Sequence, residues 1–275
     1  MNLRVATAGC PDASVQAMVF MGIRAKLDAF ELQRAELLAS AWQAQVTVVD
    51  IPGNGHGYAR LSPAERAQLR AGRFDAVADR MIAAALTHHP RLARAPIVAL
   101  GYSMGASLAT AAAALPSALH IDRLVLVEPV ATRRWGAAEL LRSVFAEPPL
   151  IGADLDRKGD GHNADAAPHR TTGACVGDWP DLAHLGFALT RGALYPDMLR
   201  AHHRSGCTLQ LIYGTDSRLA RRRDVKLFTQ RCRRAGVPID VIDMPGHHAF
   251  WHSLPVVDAA ARSAAQHWTS TSLAQ

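Results

Sequence analysis

The sequence predicts an α/β domain built on a doubly wound, mostly parallel β-sheet. Three observations carry that prediction. Short, continuously apolar runs rich in β-branched residues alternate with longer mixed segments, as in strands covered by helices on both faces. A Gly-x-Ser-x-Gly pentapeptide, Gly101 to Gly105, lies between one such run and an Ala-rich segment, the context of a sharp strand-to-helix turn. The 275 residues, 49% apolar and 20% charged, suffice for one large core and are unlike a disordered chain.

The elements follow in order. Val15 to Phe20, Val46 to Val49, Pro96 to Leu100, Leu124 to Val127, Leu209 to Tyr213 and Ile239 to Ile242 read as strands. Helices are expected over 27–42, 64–86, 104–115, 219–235 and 256–268. The second begins after Ser62-Pro63, a cap residue followed by a proline suited to a first helical turn. The alternation stops over Ala131 to Ser205. An insertion of this length in a compact domain is expected to cover a ligand site. No internal repeat or low-complexity tract occurs.

Composition excludes several classes. Cys10, Cys175, Cys207 and Cys232 have no CxxC pair and no zinc-ligand spacing, so they read as buried thiols rather than a disulfide framework. No apolar window reaches the roughly 18 residues of a membrane span, and the first residues lack a signal-peptide pattern. A cytoplasmic location is expected. Asp154 to Gly159 begins like a calcium loop, but Lys158 stands where an oxygen ligand is required. Phosphate-loop and dinucleotide fingerprints are absent from the sequence. No metal and no cofactor are expected.

The net charge of +6 is local. Residues 218 to 234 hold seven Arg and Lys226 against Asp224 alone, which leaves the rest nearly neutral. Val225, Phe228, Cys232 and Ala235 form an apolar stripe, so the basic residues are expected to face solvent. The patch is a candidate site for an anionic ligand. No nucleic acid is expected as a partner.

The chemistry centres on Ser103. Glycines two residues before and after it permit close backbone approach. The turn presents the hydroxyl above the sheet edge, and the helix from Met104 aims its N-terminal dipole there. A serine hydroxyl needs a base and an orienting acid. Asp216, after the strand ending in Tyr213-Gly214, is the leading acid. Glu128, which ends the strand after the pentapeptide, is its rival. Among the histidines after the last strand, His248 is preferred as base over His247, with His252 third. Asp216 also competes with Thr215 and Ser217 as a helix cap.

The chain resembles the α/β-hydrolase superfamily over nearly its whole length. Gly101-Tyr102-Ser103-Met104-Gly105 is similar to its nucleophile elbow, and Asp50-Ile51-Pro52-Gly53-Asn54-Gly55 to its D-x-P-G-x-G loop. The resemblance implies a sheet of about eight strands, with a helical lid at 131–205 inserted after the sixth. It implies an oxyanion hole from the backbone N–H groups of Met104 and Ile23. Met21 stands where the family commonly has His. The family's acid often lies three residues after the strand-end glycine, whereas Asp216 lies two after Gly214.

Together these features predict a serine hydrolase that cleaves an ester or other activated acyl bond of a small-molecule substrate. An acyltransferase or thioesterase acting on a carrier-bound acyl chain is the alternative. A non-catalytic binding protein on the same fold is a third reading.

Overall fold

A computed structural model describes residues 3–54, 59–157 and 179–272. Seven strands form one sheet: β1 (Val5–Ala8), β2 (Val15–Phe20), β3 (Ala44–Val49), β4 (Ile97–Tyr102), β5 (Ile121–Val127), β6 (Thr208–Gly214) and β7 (Ile239–Met244). Their order is β1-β3-β2-β4-β5-β6-β7. Only β1 runs antiparallel, pairing Val5 with Val49 and Ala8 with Val46. It is too short to stand out as an apolar run, and its pairing rather than its composition makes it a strand. The seven strands among the described residues agree with the sheet of about eight expected.

Nine α-helices occur among the described residues: α1 (Ala29–Trp42), α2 (Pro63–Arg70), α3 (Asp75–His88), α4 (Met104–Ala114), α5 (Ala137–Arg157), α6 (Trp179–Thr190), α7 (Leu194–Ser205), α8 (Arg222–Arg234) and α9 (Leu254–Ser272). Helices α1 and α9 pack together on one face, joined where Trp42 Nε1 donates to the Ala261 carbonyl at 3.0 Å. Helices α3, α4, α7 and α8 form the opposite layer. Strands β3 and β4 are buried along their whole length because both faces are covered.

Three expectations change. The single helix expected over 64–86 is two helices. Ser62 caps α2 in a reciprocal pair with Glu65, and the chain turns at Gly72, whose φ of +81° favours glycine. The 131–205 insertion follows the fifth strand rather than the sixth. Part of it is ordinary crossover: α7 packs on α4, as the helix linking two parallel strands must. Of the rest, α5 packs on the turn at 248–252 and α6 on α2. The buried Asp181 of α6 accepts from the Leu61 N–H at 3.1 Å and from Arg66 at 2.8 Å. Residues 158–178, with Lys158, Gly159 and Cys175, lie outside the described residues, as do Gly55, His56 and Gly57. The third change is Cys10, which is exposed. Cys207 and Cys232 are buried, and burial pushes their thiols up to about 11 and about 12.

Candidate active site

Connections at the carboxyl edge of the sheet converge on Ser103, where ligands bind in open α/β sheets. The nucleophile candidate sits between β4 and α4 with φ 56° and ψ −114°. A non-glycine residue there is strained by about 1–3 kcal/mol, and the surroundings hold it. The Ser103 N–H donates to the Val127 carbonyl at 2.8 Å. A Cβ on Gly105 would overlap the Phe20 carbonyl, and one on Gly101 the backbone of Gly105 and Ala106. Both glycines are thus required by neighbouring backbone.

The turn aims Ser103 at a histidine. Ser103 Oγ lies 2.9 Å from His248 Nε2, and His248 Nδ1 lies 2.7 Å from Glu128 Oε2. A carboxylate can only accept, so Nδ1 carries the proton and Nε2 is left to accept from the serine hydroxyl. His248 opens a short 3-10 turn, His248–His252, after the extended His247. Its ring stacks on Tyr102, with centroids 5.5 Å apart. The Tyr102 hydroxyl donates to the His248 carbonyl at 3.2 Å, and burial drives its own ionisation far above the usual phenol range.

The acid in contact is therefore Glu128, and the leading expectation of Asp216 is corrected. Asp216 is exposed. Its backbone carbonyl, not its carboxylate, meets His247 Nδ1, at 3.2 Å. Glu128 follows β5 with φ 52°, which folds its side chain back beneath the histidine loop. The residue is 0% exposed. Burying a carboxylate costs several kcal/mol. Three donors offset that cost: His248, Ser217 Oγ at 2.5 Å, and the Gly214 N–H. The Ser217 oxygen in turn accepts from the Ala220 N–H at 2.9 Å. The β6–α8 connection that was to supply the acid instead supplies the groups that hold it.

The two expected oxyanion donors also lie near Ser103. Met104 is the first residue of α4, where backbone N–H groups have no partner within the helix. Ile23 follows Gly22, where a Cβ would come within 3.6 Å of Ser103 Cβ and 3.0 Å of the Tyr102 ring. The Ile23 loop is braced from beneath. Asn54 Nδ2 donates to the carbonyls of Gly22 (3.1 Å) and Ala25 (2.8 Å), and its Oδ1 accepts from the Arg24 N–H at 2.7 Å. Asp50 accepts from the Leu27 N–H at 2.8 Å. Both residues belong to the D-x-P-G-x-G motif, whose sequence alone does not assign them this task. Tyr102 was likewise missed from the sequence. An aromatic at the end of a buried strand, beside the serine, was the available signal.

His252 lies 3.4 Å from the Tyr102 hydroxyl and not on the serine. Most of the expected α8 stripe forms: Val225, Phe228 and Cys232 are buried, while Arg222, Arg223, Lys226 and Arg231 are exposed; Ala235 caps the helix and is half-buried. Among the described residues no three His, Cys, Asp or Glu side chains are grouped to hold a metal ion. No described helix is long and apolar enough to cross a membrane.

Comparison with known proteins identifies the family and the fold. The profile of the Alpha/beta hydrolase family matches residues 24–262. Among solved structures, the enol-lactonase of Burkholderia xenovorans LB400 is similar at a TM-score of 0.65 and 16% identity, covering 97% of this chain and 96% of that one. The thioesterase domain of the curacin biosynthetic pathway is similar at 0.60 and 20% identity, covering 94% and 92%. A monoacylglycerol lipase from Paleococcus ferrophilus is similar at 0.63 and 15%, covering 98% and 99%. At these identities the likeness is one of fold. Comparison with curated proteins gave no match.

Proposed function

The chain belongs to the alpha/beta hydrolase family and is a hydrolase; from that premise we propose that it cleaves an ester or other activated acyl bond through an acyl-enzyme on Ser103. The observation that supports this reading is the continuous path from Ser103 Oγ through His248 to Glu128, at 2.9 and 2.7 Å. In the proposed mechanism Ser103 Oγ bonds to the acyl carbon as its proton passes to His248 Nε2. Glu128 holds the ring in the correct tautomer and stabilises the imidazolium. The N–H groups of Met104 and Ile23 take up the oxyanion charge. His248 protonates the departing alkoxide. It then removes a proton from water, which attacks the acyl carbon; the acyl–Oγ bond breaks as His248 returns that proton to Ser103 Oγ, and the acid leaves.

Hydrolysis of p-nitrophenyl esters from acetate to octanoate tests the reading. Ser103→Ala should lose at least about 10³-fold in kcat. Retention of activity in that variant contradicts the reading. A second reading, transfer or hydrolysis of a carrier-bound acyl chain, has one observation behind it. The exposed basic face of α8 is linked to α5 by Arg221 and Glu139 at 3.1 Å, and α5 exposes Leu141 and Phe145. That pairing of charge and apolar surface suits an anionic carrier. A preference for acyl thioesters over p-nitrophenyl esters of equal chain length would favour it.

A further inference from the structure

Glu147 of α5 has no part in the path from Ser103 to Glu128, yet it is buried beside it. It is 4% exposed, on the helix that packs against the turn bearing His248. Among the described residues neither carboxyl oxygen has a hydrogen-bond partner. The Arg218 backbone amide lies close enough to favour its charge, outside hydrogen-bonding geometry.

Its electrostatic neighbours are His248, Glu128 and His247, and Tyr102 also senses it. The carboxyl therefore lies within electrostatic reach of the reacting groups. Burial raises its pKa, and Glu128 adds to that shift.

Among the described residues no Arg or Lys side chain pairs with it. Arg133 pairs with Asp224 at 3.0 Å and with Glu139 at 2.6 Å, and Arg221 also pairs with Glu139. Two carboxyl groups thus lie within electrostatic reach of one histidine, and Glu147 has no ion-pair partner among the described residues. An unpartnered buried carboxylate is costly to a fold, and a positively charged ligand group beside it would relieve that cost.

We propose that Glu147 forms a subsite beside Ser103 for a positively charged group on the substrate, so that the enzyme selects acyl compounds bearing an ammonium substituent. The assignment rests on the hydrolase reading above.

Two isosteric pairs test it on either side of the scissile bond. One is acetylcholine against 3,3-dimethylbutyl acetate. The other is the p-nitrophenyl ester of 4-(trimethylammonio)butanoate against that of 5,5-dimethylhexanoate. Wild type should show at least about tenfold higher kcat/KM for the cation in one pair, the scale expected of a desolvated charge contact. Glu147→Gln should lower that ratio about tenfold, whatever its effect on the neutral ester. Wild-type ratios near one in both pairs overturn the assignment without recourse to the variant. So does an unchanged ratio in a folded Glu147→Gln. A fluorophosphonate control separates the two claims. Wild type that labels and hydrolyses only neutral esters keeps the hydrolase reading and refutes the subsite. Wild type that neither labels nor turns over any ester refutes both.

Discussion

Replacing Glu128 by Gln changes one oxygen to an amide nitrogen and removes one buried charge. The Gly214 N–H is a fixed donor to Oε1, so the one oxygen left on the substituted side chain must stay there. The new NH2 group then faces Ser217 and His248. The Ser217 hydroxyl can rotate to accept. His248 can accept only with a bare Nδ1, which places its proton on Nε2, against Ser103 Oγ. The base is then blocked by its own proton. Losing a charge-assisted hydrogen bond costs about 1.5–3 kcal/mol, or at most about 150-fold. The wrong tautomer adds to this, and the equivalent change in serine-protease triads costs about 10⁴. Glu128→Gln should therefore lower kcat by about 10³–10⁴, or about 4–5.5 kcal/mol. The exposed Asp216 makes no side-chain contact with His248, and Asp216→Asn should stay within about twofold of wild type. Steady-state hydrolysis of p-nitrophenyl acetate measures both, with circular dichroism to establish folding. A loss below about tenfold in folded Glu128→Gln, or a larger loss in Asp216→Asn, refutes the reasoning.

Three further outcomes are expected. Asn54→Ala removes three hydrogen bonds from the Ile23 loop; kcat should fall about tenfold or more with KM little changed, and a change confined to KM would assign the loop to binding instead. Gly105→Ala would place a methyl group inside the Phe20 carbonyl, so soluble yield and unfolding midpoint should drop sharply, whereas a wild-type midpoint would contradict the close approach. Burial pushes Glu31 up to about 7 despite its pairing with Arg34. Its raised value stabilises the fold below about pH 4.5, and that contribution is lost as pH rises through about 7. Urea unfolding of wild type should weaken across that window by on the order of 1–3 kcal/mol relative to Glu31→Gln, and parallel curves would mean that Arg34 holds Glu31 ionised throughout.

The sheet was legible because most of its strands hold short, largely apolar runs with β-branched residues, and the elbow because two glycines flank the serine at a strand end. Choosing the acid was harder for a physical reason. Asp216 and Glu128 both follow strands, and both lie between Ser103 and His248 in the chain. What separates them is the backbone at Glu128, whose φ of 52° turns the side chain inward, and the donors of another connection that meet it there. Neither is written in local composition. One clue was present: an acid ending an otherwise apolar strand is buried, and a buried carboxylate needs partners. Gly72 could likewise have divided the expected 64–86 helix. The extent of the covering insertion was overread because α7, with a mixed surface pattern, looks like decoration until its packing on α4 is seen.

The most direct test of the central claim is intact-mass analysis of the full chain after reaction with a fluorophosphonate, followed by peptide mapping. One adduct per chain on Ser103, absent from Ser103→Ala and greatly slowed in Glu128→Gln, is the predicted result. A wild type that takes up no adduct, or carries it on another residue while Ser103→Ala labels equally, would contradict the assignment of Ser103, His248 and Glu128 as one reacting unit.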